Sequence, residues 1–126
     1  MNARLRQTLR AVALRCPLCG SPWPRRGRLS LAPQCRHCDL FLERREHDAF
    51  LGAYTVSLFA TLAFAVAVVL ANVRWASLPP PLRGASSVLA IAGFACWFHP
   101  VGKLLWLTID VQFRPPVAGD FEGPPE

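Results

Sequence analysis

Four of the five cysteines fall in two Cys-x-x-Cys pairs, Cys16-Pro-Leu-Cys19 and Cys35-Arg-His-Cys38, with fifteen residues between the pairs. This spacing suits a tetrahedral metal site. Each short turn brings two sulfurs onto one ion, and the second turn completes the shell. The expected metal is zinc, held by Cys16, Cys19, Cys35 and Cys38 at about 2.3 Å per Zn–S bond. Four thiolates leave no open coordination position, so the expected site is structural and not catalytic. Gly20 follows the first pair, where a positive φ is useful, and Asp39 takes the matching place after the second. His37 reads as solvent-facing, and Arg36 and Arg15 as offsets to the charge of about −2 on a zinc tetrathiolate. Two disulfides or a redox pair are the alternatives. A cytosolic head disfavours the first, and the lack of a surrounding βαβ pattern disfavours the second.

His99, Pro100, Lys103 and Asp110 form a second constellation, set in or beside an apolar run. At about 100° per residue, His99 and Lys103 lie about 40° apart and Lys103 and Asp110 about 20° apart. Trp106 falls near the same stripe. Polar side chains at membrane depth are costly, so the stripe is expected to bind a protein partner. Lys103 can instead snorkel to the headgroups. Pro100 removes a helix hydrogen bond and can kink the helix there. Cys96 reads as a small packing residue.

The elements that must position these residues follow from the distribution of apolar side chains. Of the 126 residues, 52% are hydrophobic, and they concentrate after residue 48. Ala49 to Ala71 is a chargeless run of 23 residues. As a helix it reaches about 34 Å, enough for a hydrocarbon core of about 30 Å. A second run begins at Ala85. The expected organisation is a basic amphipathic helix at 1–15, a four-cysteine ribbon and connector at 16–48, membrane helices at 49–71 and 85–109, an external loop at 72–84, and a disordered cytoplasmic tail at 110–126. In the first helix Leu5, Leu9 and Val12 fall on one face, with Arg4, Arg6 and Arg10 elsewhere, as in a helix lying on an anionic leaflet. Arg28-Leu29-Ser30-Leu31 is the candidate strand of the ribbon. Ala63, Ala67 and Ala71 form a small-residue stripe expected to face the second membrane helix. The fold class is a small zinc ribbon joined to an α-helical transmembrane hairpin.

Net charge is +6, and ten of the fourteen basic residues precede Ala49. Met1 to Cys38 holds eight arginines and no acid. The loop carries two basic residues and the tail one, so both termini are expected in the cytoplasm. The first fifteen residues lack the apolar stretch of a signal peptide.

The chain resembles a family of small bacterial membrane proteins catalogued as domain of unknown function 983. The residues that carry the resemblance are the Cys-Pro-x-Cys-Gly turn at Cys16–Gly20, the second turn at Cys35–Cys38, the two apolar helices, the Pro-x-x-Lys element at Pro100–Lys103, and the following LTIDVQFRPP. It spans roughly Leu14 to Pro116. Asp39 departs from the family's usual glycine. The resemblance implies a bacterial inner-membrane protein with no settled activity. Some members are encoded beside haem–copper oxidase subunits and assembly factors, which implies a role near respiratory complexes.

The expected function is therefore non-enzymatic. The chain reads as a membrane-anchored zinc ribbon that contacts a membrane complex as an accessory or assembly factor. No Ser-His-Asp set, carboxylate pair, phosphate loop or open metal site supports an enzyme, and no small-molecule substrate is inferred. One alternative is a membrane-tethered nucleic-acid-binding ribbon. That would need stacking aromatics, and Trp23 is the only aromatic before Phe41. Another is a carrier or enzyme that uses His99 and Lys103.

Overall fold

The computed structural model describes residues 2–27, 30–42 and 46–122, with backbone alone over 46–50. Among the described residues, three α-helices occur in the order α1 (Ala3–Val12), α2 (Glu46–Arg74) and α3 (Pro80–Phe113). The ribbon lies between α1 and α2. Among the described residues it has no regular strand. Three isolated antiparallel bridges, Arg15 with Pro22, Arg25 with Leu31 and Gln34 with Phe41, close its turns. Of the candidate strand, Arg28 and Leu29 lie outside the described residues, while Leu31 is buried and bridges to Arg25.

Both apolar helices are long and apolar enough to cross a membrane. They pair antiparallel in a register that four contacts define. Asn72 donates to the Ser87 hydroxyl at 2.6 Å. The Phe64 and Phe94 rings stack at 4.3 Å. Gly102 faces Ser57, and Gly52 faces the Trp106 indole. Phe98 extends the ring stack from Phe94 at 5.4 Å. The expected alanine stripe does not make this interface, since Ala63 and Ala67 are exposed and only Ala71 is half-buried. Aromatic stacking fills the middle of the hairpin, and at the end near the ribbon Gly52 and Gly102 admit the Trp106 and Ser57 side chains.

The loop is shorter than the sequence suggested, because α2 runs on to Arg74 and the prolines begin α3 instead of breaking α2. Pro79 caps α3, and Pro80 and Pro81 occupy its first turn, where a missing N–H costs no helix bond. Pro100 lies inside α3, yet the helix continues through it to Phe113.

α1 ends in a Schellman turn: Leu14 N–H donates to Ala11 O and Arg15 N–H to Arg10 O. Leu14 takes the left-handed place at φ 56°, where glycine is usual. Its half-buried side chain packs on the core, which offsets the backbone cost of about 1–2 kcal/mol.

The tail also differs from the expectation of disorder. Asp110 to Phe113 is the last turn of α3, and a 3₁₀ turn forms at Ala118–Asp120. The Asp120 carboxylate accepts from Val117 N–H at 2.9 Å, and Phe41 N–H donates to Asp120 O at 3.2 Å. Phe121 then packs on the ribbon core. Residues 123–126 lie outside the described residues.

A Cβ at Gly52 would fall within the Trp106 ring, whereas one at Gly102 meets the Ser57 hydroxyl, which can rotate away. Gly52→Ala is therefore expected to destabilise the hairpin by about 1–3 kcal/mol. Gly102→Ala should be milder, and Trp106→Leu should rescue Gly52→Ala. Thermal unfolding in detergent micelles, compared across the three variants, checks this ordering.

Candidate metal centre

The two cysteine turns are built alike. In the first, Cys16 N–H donates to Ser21 O at 2.9 Å and Gly20 N–H to Cys16 O at 2.9 Å. In the second, Cys35 N–H donates to Leu40 O at 2.9 Å and Asp39 N–H to Cys35 O at 3.2 Å. Each turn closes through a left-handed residue, Gly20 at φ 76° and Asp39 at φ 60°. Asp tolerates that region better than most residues, so the second turn forms without glycine.

The turns bring Cys16, Cys19, Cys35 and Cys38 together as a single cluster of potential metal ligands. Their sulfurs lie 3.6–3.9 Å from one another. Six nearly equal edges make a regular tetrahedron, whose centre is about 2.3 Å from each corner, the Zn–S distance of a tetrathiolate site. The donor set therefore fits a metal ion. Cys16 and Cys35 are buried, and Cys19 and Cys38 half-buried. His37 is exposed and stands outside the cluster.

The surroundings set the thiols apart. Burial pushes the Cys16 thiol well up, against the N–H groups of Cys19 and Leu18, which pull it down. Burial also raises Cys38. At Cys35 burial acts in the same direction, but the Ser21 hydroxyl, the N–H groups of Cys38 and His37, and Cys19 together outweigh it. They hold the thiol down at about 6. Ser21 Oγ lies 2.9 Å from Cys19 Sγ and 3.5 Å from Cys35 Sγ, so its proton can serve either sulfur. Two arginines flank the first turn. Arg10 lies against Gly20 and donates to Leu18 O at 3.4 Å, and Arg15 donates to Gly20 O at 3.4 Å. Of the two arginines expected beside the site, Arg15 lies at the first turn and Arg36 is exposed in the second. Arg10 was not among them, because its approach depends on how α1 folds back, and Ser21 gave no motif signal.

The ribbon does not stand alone. Its core joins Ala11 of α1, Cys16, Trp23, Leu31, Cys35, Leu40 and Leu42 to Leu104, Leu107 and Val111 of α3. Trp23 is 3% exposed and donates from its indole N–H to Ala32 O at 2.8 Å. The end of α3 thus supplies the apolar wall that so short a ribbon lacks. Leu104, Leu107, Thr108 and Val111 recur at i, i+3, i+4 and i+7, the signature of a buried helix face. In the sequence that face is hidden inside a run apolar on every side. Thr108 turns its hydroxyl back to Leu104 O at 2.8 Å, which lets it be buried without another partner.

The polar stripe on α3 lies off this seat. His99 is exposed, and Lys103, Trp106 and Asp110 are half-buried; Pro100 is buried. Trp106 packs on Gly52 of α2. Thr55, a conceivable partner for His99, instead bonds its own backbone at Leu51 O, 2.8 Å away.

Cys16 and Cys38, with raised pKa values, enter the metal-free fold as thiols at neutral pH, so a metal must displace their protons. Affinity should accordingly rise with pH, by at least about two log units per pH unit near neutrality, one for each of these two thiols. Competition with a chromophoric chelator between pH 6 and 8 measures the slope. A flat profile would contradict the proton displacement.

Comparison with known proteins places the chain. No curated protein and no solved structure matches it. The sequence profile of one family matches residues 25–113, which include the second cysteine turn and both long helices. Cys16 and Cys19 precede the matched region, so their place in the metal centre rests on the geometry above. With more than half its length matched, the chain belongs to the family described as Protein of unknown function (DUF983).

Proposed function

We propose that the protein is a non-enzymatic, membrane-anchored zinc ribbon that serves as an accessory or assembly factor for a membrane complex. The observation that carries this reading is the union of a closed four-sulfur site with the end of a membrane-length helix. Such a site offers no vacant corner for a substrate, and its shape holds a surface at a fixed place beside the bilayer. Zinc is the metal the reading assigns, since four thiolates at a tetrahedral edge of 3.6–3.9 Å suit it. The exposed His99 and half-buried Lys103 of α3 then belong to the face that meets a protein partner. The family resemblance points to a respiratory complex. The nucleic-acid alternative loses support from Trp23, whose ring is spent in the ribbon core and is closed to base stacking.

The reading places the chain in a bacterial inner membrane with both termini in the cytoplasm, on ten basic residues in the head against two in the loop. With Ser77→Cys in a background lacking the other thiols, an impermeant thiol reagent should label intact cells from outside. Labelling only after lysis would reverse the topology.

Capture from native membranes with mass spectrometry tests the function. The full chain should recover a defined membrane complex and one zinc per chain. His99→Leu should lower recovery of that complex several-fold without changing zinc content or abundance. Equal recovery by wild type and His99→Leu removes the stripe from the interface.

A further inference from the structure

α1 docks on the protein through its small polar face and leaves its apolar face open, the arrangement expected of a helix lying on a leaflet. Ala11 is buried and Gln7 and Thr8 are half-buried, and Gln112 of α3 donates to Arg4 O at 3.4 Å. The apolar face points away from the protein: Leu5 is 51% exposed, Leu9 51% and Val12 45%. These three lie within about 60° of one another on the helix, and Arg6 lies about 60° beyond Leu9. A helix with a small polar face available for docking and an aliphatic face left open is matched to an apolar medium outside the chain.

The hairpin indicates which medium. Arg83 and Asp110 are 27 residues apart on α3, about 40 Å along a helix. That equals a bilayer with both headgroup layers, about 40–45 Å. α1 packs beside α3 and shares a core with Leu104, Leu107 and Val111, with Arg4 next to Gln112. It therefore lies level with the headgroup layer at the ribbon end. The charge agrees: Arg4, Arg6 and Arg10 lie on α1, and no acid occurs before Asp39.

We infer that α1 is an interfacial helix whose Leu5, Leu9 and Val12 enter the acyl–headgroup boundary of an anionic leaflet while Arg4 and Arg6 contact lipid phosphates. This rests on the membrane reading of the hairpin and goes beyond it, since a hairpin can insert with α1 held in water. The contact would fix the ribbon's height and roll against the bilayer, because α1 and the ribbon share one core.

The test uses the full chain, loaded with zinc, in vesicles of phosphatidylglycerol and phosphatidylethanolamine. Leu9 is replaced by the photoreactive amino acid p-benzoylphenylalanine, and Leu5 in a second variant guards against a local folding defect. Carbonate extraction reports insertion of the hairpin separately. After irradiation, phospholipid adducts should form at positions 9 and 5, several-fold more than when Gln7 is replaced in the same way. Their yield should fall in phosphatidylcholine vesicles and in Arg4→Gln/Arg6→Gln. Extraction of the protein by carbonate sinks the membrane reading and this inference together. Carbonate resistance without lipid adducts, or with adducts to a second copy, overturns the inference alone.

Discussion

Four sulfurs at the corners of one tetrahedron constrain everything around them. A ribbon of this length buries too little apolar surface to hold its turns by packing alone. An ion held by the four sulfurs would supply much of that missing cohesion, and only if both turns present their thiolates at once. The matched hydrogen bonds of the two turns, and their two left-handed residues, meet that requirement in the backbone. Trp23, Leu31 and Leu40 then pack around the sulfurs and onto α3. Metal centre and helix seat are two sides of one small core.

That core changes the meaning of α3. Over most of its length it is a partner for α2, joined by stacked Phe64 and Phe94 and by the Asn72–Ser87 hydrogen bond. Over its last three turns it also serves as the floor of the ribbon, through Leu104, Leu107 and Val111. Trp106 on Gly52 ties the two roles together at the same level of the helix. The segment LTIDVQFRPP, familiar from the family, coincides with this floor: its Leu107, Thr108 and Val111 are buried.

The cysteine set was legible because metal geometry is written in spacing. Two apolar runs of membrane length were legible because length and composition are read directly from the sequence. The left-handed role of Asp39 followed from the likeness of the two turns. What escaped notice was mostly a matter of which face meets which. A run apolar on every side hides the face at Leu104, Leu107 and Val111 that another part of the chain covers. The alanine stripe at Ala63 and Ala67 misled because small residues favour close helices only where no larger surface competes, and Phe64, Phe94 and Phe98 compete. The tail differs because composition averages over residues, while Phe121 packs on the ribbon core and Asp120 O accepts from Phe41 N–H. The prolines of the loop begin α3 where composition alone suggests only a helix breaker.

The shared core also imposes an order on synthesis. Leu104 follows Cys38 by 66 residues, and α2 with the loop lies between them. At about 5–20 residues per second, the cysteines leave the ribosome several seconds before the wall they pack against exists. During that interval the thiols are held by a metal, if one is at hand, or stand open to oxidation and wrong pairing. Completing the ribbon must wait until the second long helix has been made and brought back beside the first, so the last half-turns of α3 decide when the head is finished.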